Sequence, residues 1–287
     1  MSGSTEQNAS RRTQAESILT EAAHTARSQE VTDTSGAVLR TDKCTIRFGG
    51  LVAVNSLDMA VREGEIYGLI GPNGAGKTTV FNLLTGVYEP TEGEIYFQGK
   101  RIDSLRPHQI ARRGVSRTFQ NIRLFPGMTV LENVLTACHI HARQSLADAI
   151  FRTPRFTRDE REQRDFCLEL LKIFGLERFQ NEGGTSLPYG NQRRLEIVRA
   201  LATRPKLLLL DEPAAGMNPS EQEDLIDLIR LVRDRFGLTI LLVEHNMKVV
   251  MGICERIQVL DYGKPIALGL PEEIRNNPKV IEAYLGD

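Results

Sequence analysis

The chain has 287 residues, enough to bury a full core as one large domain or two lobes. Its content, 41% hydrophobic and 25% charged, is that of an ordinary soluble globular protein, and the absence of a run of about 18 apolar residues excludes a membrane-spanning helix. With 36 basic and 37 acidic residues the net charge is −1, which argues against a protein whose main partner is nucleic acid.

Residues 1–37 are rich in Ser, Thr, Gln, Glu and Ala and read as a disordered or loosely helical tail, with a weak helix over Ala15–Ala26. Arg12 and Arg27 are mixed there with Glu16 and Glu21, and no secretory apolar core is present. Cys44, Cys138, Cys167 and Cys254 lack metal-type spacing and read as reduced thiols of a cytoplasmic protein. From Val38 to Val61 the character changes. Apolar residues alternate in Cys44–Phe48 and Leu57–Val61, as in half-buried antiparallel strands, with Gly49-Gly50 as the turn between them. Phe48 could stack on a nucleobase or simply pack into the core.

Gly71-Pro72-Asn73-Gly74-Ala75-Gly76-Lys77-Thr78 fits the phosphate-loop pattern, with Gly71, Gly76, Lys77 and Thr78 at the specified places. An apolar run, Glu65–Ile70, leads in as a buried strand would, and Thr78–Leu84 leads out as a helix. Glycines let backbone N–H groups close around phosphate oxygens, and the helix presents its positive end to the same anion. Lys77 would then hold the β- and γ-phosphates, Thr78 would ligate Mg²⁺ and Thr79 would sit by the α-phosphate. This pattern predicts a nucleotide site.

A short strand is expected at Glu92–Gly99, a brief helix at Pro107–Gly114 and a strand at Val115–Gln120. Gln120 could reach Mg²⁺ or an attacking water, or be a plain surface amide. The pattern turns helical from Asn121 to about Phe179, with one face made by Val130, Leu131, Val134 and Leu135 and another by Phe166, Leu170, Leu171 and Phe174. The charge-dense Arg152–Arg164 reads as a solvated face. Leu187–Gln192 precedes a further helix carrying Leu195, Val198 and Leu201, and Gly190 at its start is a second candidate anion site.

Lys206–Leu210 is a continuous apolar run ending in Asp211, Glu212 and Pro213, as a central parallel strand delivering two carboxylates at its carboxyl end. Asp211 would hold the Mg²⁺ shell and Glu212 would activate a water against the γ-phosphate. Leu238–Val243 is another buried strand, ending in Glu244-His245, where His245 could bond the γ-phosphate or cap the strand. A hairpin around Asp261–Lys264 and one last helix, Pro271 to about Leu285, close the chain.

In this order the pieces resemble the ATP-binding subunit of an ABC transporter, from Val38 to the end. The matching motifs are the phosphate loop, the glutamine loop at Gln120, the signature at Leu187–Asn191, the strand Leu207–Glu212, the D-loop Ala215–Asn218 and the switch His245. Arg117–Phe125, Tyr189–Glu196 and Val280–Gly286 are similar to the ATPase subunits of branched-chain amino acid importers, the "G" type of the pair. The resemblance implies an α/β P-loop (RecA-like) core with an antiparallel β subdomain and a helical subdomain inserted at about 121–204, within a cassette spanning 38–287. It implies ATP and Mg²⁺, and hydrolysis served by Lys77, Gln120, Glu212 and His245. It also implies a head-to-tail dimer with a second cassette, docked at the cytoplasmic face of the plasma (inner) membrane beneath two permease subunits and fed by an extracytoplasmic solute-binding protein. The sequence departs from the general signature at Pro188, Tyr189 and Asn191, and from the D-loop at Asn218. A lipid or lipopolysaccharide exporter ATPase shares the Gly-Lys-Thr-Thr and Asp-Glu-Pro context. A soluble ABC ATPase acting on ribosomes or DNA fits less well with one cassette and a neutral charge balance.

Overall fold

The computed structural model describes residues 36–141 and 153–285, so the helix expected at Ala15–Ala26 lies outside the described residues. Strands β1 (Ala37–Phe48) and β2 (Leu51–Arg62) form a hairpin about Gly49-Gly50, with Phe48 opposite Leu51. The period-2 pattern read from the sequence buries Cys44 and Ile46 on one strand and Leu57, Met59 and Val61 on the other. β4 (Glu92–Phe97) pairs with β1, and the two-residue β5 (Lys100–Arg101), which had no sequence signal, pairs with β4. The resulting sheet, in the order β2-β1-β4-β5, is antiparallel throughout.

A second sheet runs in the order β10-β9-β3-β8-β7-β6, with β3 at Ile66–Ile70, β6 at Val115–Arg117, β7 at Leu207–Asp211, β8 at Thr239–Val243, β9 at Arg256–Asp261 and β10 at Lys264–Gly269. All its pairings are parallel except β9 with β10. The unbroken apolar runs have a direct cause. Leu207 and Leu209 of β7, with Leu241 and Val243 of β8, pack into the apolar cluster shared with the antiparallel sheet. Leu208, Leu210, Ile240 and Leu242 pack into a second cluster on the other face. A strand with core on both sides has no face left for polar residues.

The first cluster also takes Val80, Phe81 and Leu84 of α1 (Lys77–Leu84) and Ile110 of α2 (Pro107–Arg112). The second holds the inner faces of α3 (Val130–Cys138), α4 (Pro154–Ile173) and α5 (Tyr189–Ala202), together with Leu225, Ile229 and Val232 of α6 (Pro219–Phe236) and Val249 and Val250 of α7 (Met247–Ile253). The apolar faces expected for Val130–Leu135 and Phe166–Phe174 are the ones that meet it.

Several boundaries differ from the sequence reading, the strand expected over Val115–Gln120 ending already at Arg117. Residues 121–129 are not helical, because buried Asn133 donates to the carbonyls of Phe125, Met128 and Thr129 and accepts from Phe125 N, fastening them as a loop. The signature does not precede its helix but forms its first turn, since α5 begins at Tyr189 with Pro188 just before it. The last helix is two, α8 (Pro271–Arg275) and α9 (Pro278–Leu285). Pro278 can donate no helical bond, and Asn277 instead opens α9 by accepting Lys279 N at 3.0 Å.

Candidate nucleotide site

The five strands β9, β3, β8, β7 and β6 run parallel, so their carboxyl ends share one edge of the sheet. The phosphate-loop sequence leaves β3 there, His245 follows β8, Asp211 and Glu212 end β7, and Gln120 follows β6. That edge is where ligands bind in open α/β sheets.

Two glycines fix the loop's path. A Cβ on Gly71 would lie 2.1 Å from the Leu260 carbonyl oxygen, and one on Gly76 would lie 2.7 Å from that of Ala53. Gly76 also holds φ at +101° immediately before α1, a conformation that strains any side-chain-bearing residue. Lys77 Nζ, buried, donates to the carbonyls of Gly71 at 2.7 Å and Pro72 at 2.9 Å, closing the loop on itself. Burial lowers the Lys77 pKa, while the nearby carboxylates of Glu212 and Asp211 act to raise it. Asn73, Gly74 and Thr78 are exposed, Pro72, Gly76 and Thr79 half-buried and Ala75 buried. The first turn of α1 carries no acidic residue, so its N–H groups face an anion without competition.

Glu212 sits between two partners. Gln120 Nε2 donates to its Oε2 at 3.0 Å, and His245 Nδ1 lies 3.6 Å from its Oε1. Its backbone is held at φ +47°, unfavourable for a glutamate, by donation of its N–H to the Val243 carbonyl at 2.8 Å. The strained turn aims the carboxylate off the end of β7. Asp211 is buried, its N–H donating to Thr118 Oγ1 at 3.2 Å.

Phe48 and Gly190 make other contacts. Phe48 is 43% exposed and meets Tyr88 edge-on, with ring centroids 5.1 Å apart. Gly190 packs against Glu221, whose Oε1 would be 2.9 Å from a Cβ there. Neither is drawn by these contacts to Gln120, Glu212 and His245.

Sequence reasoning assigned no role to two residues of this edge. Arg117 pairs with Asp211 at 2.8 Å, donates to Asn82 Oδ1 at 2.7 Å and lies over the rings of Phe81 and Phe119. The signal was a charge inside an otherwise buried strand. Glu244, also buried, accepts from Ala214 N at 2.9 Å and from the N–H groups of His245 and Asn246. Burial pushes its pKa up, against the pull of those three donors. A groove of about 540 Å³ opens beside Arg117, lined by Val87, Ile110, Phe119, Phe125, Arg199 and other residues.

The ABC transporter family model matches residues 54–215, which takes in the phosphate loop, Gln120, Asp211 and Glu212. The chain belongs to the ABC transporter ATP-binding family. A second model, for the branched-chain amino acid ATP-binding cassette transporter, matches residues 264–287. The high-affinity branched-chain amino acid transport ATP-binding protein BraF of Pseudomonas aeruginosa is 51% identical over 253 residues, 88% of this chain and 99% of BraF. Among solved structures, an ABC transporter cassette in its ADP conformation superposes with a TM-score of 0.76 at 31% identity, over 88% of this chain and 99% of that one. A dimeric bacterial ABC cassette superposes with a TM-score of 0.69 at 27% identity, over 81% and 98%. ABC cassettes of this kind bind nucleotide, and the α/β fold found here, a parallel P-loop sheet with an antiparallel sheet and added helices, is theirs.

Proposed function

We propose that this chain is the ATP-hydrolysing subunit of an importer for branched-chain or closely related amino acids. The observation that carries the chemistry is Glu212, bracketed by Gln120 at 3.0 Å and His245 at 3.6 Å on the sheet edge that bears the phosphate loop. In this reading the loop N–H groups of Gly71–Thr79 and the Lys77 ammonium hold the triphosphate, and Phe48 stacks on the adenine. Glu212 accepts a proton from a water as it attacks the γ-phosphorus, with the Gln120 amide holding one of its oxygens and the His245 imidazole beside the other. His245, with 58% of its side chain exposed, is free to turn toward the γ-phosphate.

Thr78, Gln120 and Asp211 are oxygen donors suited to Mg²⁺, and no group of three or more His, Cys, Asp or Glu able to cage a metal occurs among the described residues. A site with few protein ligands fits a magnesium ion that keeps waters and phosphate oxygens. When bound, Mg²⁺ would neutralise charge on the phosphates.

Gly190 would serve the nucleotide of a second cassette rather than its own, which fits the dimeric state of a solved relative. The groove beside Arg117 is proposed to receive a permease segment, two permeases serving two cassettes. No helix among the described residues is long and apolar enough to cross a membrane, so attachment to its cytoplasmic face would run through that groove. An extracytoplasmic binding protein would deliver the amino acid.

The test is Glu212→Gln in the purified chain. It should bind ATP as the parent does and lose at least about a hundredfold in turnover. Unchanged turnover would remove Glu212 from the reaction. The cargo is read separately, by leucine-stimulated hydrolysis in the reconstituted complex.

A further inference from the structure

Two thiols of the helical layer lie closer to each other than their chemistry requires for packing alone. Cys138, the last residue of α3, and Cys167 in α4 have Sγ atoms 3.2 Å apart, and both are buried. Cys138 also lies 3.6 Å from the Ala202 carbonyl oxygen. The pair is not sealed in. Cys138 lines a solvent-open pocket of about 340 Å³ with Asp159, Glu162, Gln163, Ala202 and Arg204, while Cys167 is not among the lining residues and lies behind it. This is the layout of an attacking thiol at a mouth with a resolving thiol beneath.

We propose that Cys138 and Cys167 are a dithiol modification site, oxidised to an intramolecular disulfide by a small hydroperoxide entering this pocket. The Cys138 thiolate attacks the distal peroxide oxygen, the O–O bond breaks, and the alkoxide or hydroxide released takes up a proton. The product is a sulfenic acid at Cys138. Cys167 Sγ then attacks that sulfur, and the S–OH group leaves as water with the proton from Cys167. Two thiols and one hydroperoxide thus yield one disulfide, one alcohol (or water) and one water.

The division of labour is supported by the local charges. The hydrogen bond between the two thiols and the positive charge of Arg204 lower the Cys138 pKa against the effect of burial, whereas the same hydrogen bond and burial raise that of Cys167. The other two cysteines serve as internal controls. Cys44 is pushed up to about 12 by burial and by Asp103, and Cys254 is raised by burial and by Glu244. The disulfide would tie α3 to α4, and Thr136 and Ala137 of α3 line the groove beside Arg117. Oxidation therefore stiffens one wall of that groove.

The experiment treats the reduced full-length chain with hydrogen peroxide, unfolds it, alkylates free thiols and maps them by peptide mass. Two of the four cysteines should become protected as a linked Cys138–Cys167 peptide, at least about tenfold faster than Cys44 or Cys254 react, with recovery on adding dithiothreitol and a higher Tm while oxidised. Cys167→Ser should halt at a sulfenic acid on Cys138 that dimedone traps. Cys138→Ala should leave Cys167 unoxidised, and its Tm without peroxide reports whether it folds. Equal oxidation of all four cysteines, or a Cys138–Cys167 pair that stays alkylatable, overturns the proposal.

Discussion

Arg117 reaches Asp211 from the neighbouring strand with 8% of its side chain exposed, against 4% for the carboxylate. Neither charge has water to fall back on, so the pair is a mutual requirement rather than a surplus of stability. The guanidinium spends two of its nitrogens on Asp211 and Asn82 and lies over two rings, while its Nε is buried with no partner among the described residues. Replacing it with methionine keeps the volume and strands Asp211. Arg117→Met should therefore lose about 3–5 kcal/mol in urea unfolding. Adding Asp211→Asn should recover most of that loss, because the uncompensated charge and not the missing contact is what costs. Should the double variant be less stable than the single one, the pair would have to be judged a net attraction. In the sequence this Arg was visible only as a charge in the string Val115–Gln120. Its partner lies 94 positions away, and nothing local announces the pairing.

The elements that end at the site are tied to one another beyond the sheet itself. Glu244, after β8, accepts the N–H of Ala214 in the turn after β7, and accepts those of His245 and Asn246 in its own turn. Asn246 Nδ2 donates to Gln222 Oε1 at 2.9 Å, and Gln222 Nε2 donates to the Met217 carbonyl at 3.0 Å. The segment carrying His245 and the segment following Glu212 are thus fastened at two points. Glu244→Ala would leave the buried Ala214 N–H and the part-buried N–H groups of His245 and Asn246 without their acceptor, and a stability loss of about 1–3 kcal/mol is expected. Because the same bonds set the His245 backbone, kcat should fall while ATP affinity, which rests on the phosphate loop, stays near the parent value. A loss confined to stability, with kcat untouched in the folded fraction, would make Glu244 a plain core anchor. The strands and their order of appearance were legible because apolar runs and turn residues are local. These clasps were not, since a carboxylate at a strand end looks the same whether it serves chemistry, as proposed for Glu212, or main-chain N–H groups, as Glu244 does.

At the scale of the molecule, one topological fact gathers the chemistry: parallel strands put Gly71–Thr79, Gln120, Asp211, Glu212 and His245 on a single edge although they span more than half the chain. Motif spacing made those residues readable, and the parallel sheet explains why spacing in sequence becomes proximity in space. Gly190 differs from them in lying at the start of a helix and not at the carboxyl end of a sheet strand. It opens α5 beside Glu221, whose carboxylate also accepts Asn218 N at 3.0 Å, while Arg193, one turn further along, donates to the Gln120 carbonyl at 2.8 Å. If the signature completes a nucleotide site on another cassette, ATP that is bound but not cleaved should hold two chains together. Glu212→Gln protein with ATP should then double its mass in sedimentation, and ADP should return it to monomer. Gly190→Ala added to that variant introduces a methyl group 2.9 Å from Glu221 Oε1, the far end of a flexible side chain, so a small shift of Glu221, at most giving up its bond to Asn218 N, should let the fold survive. The same methyl group narrows the approach of a phosphate to the helix end, and dimerisation should weaken by about tenfold or more, roughly 1.4 kcal/mol. ATP affinity of the monomer should stay unchanged, because Lys77 and its loop are untouched. A variant that dimerises as tightly as its parent would show that Gly190 does not face the nucleotide, and the signature turn would then need another explanation for its glycine.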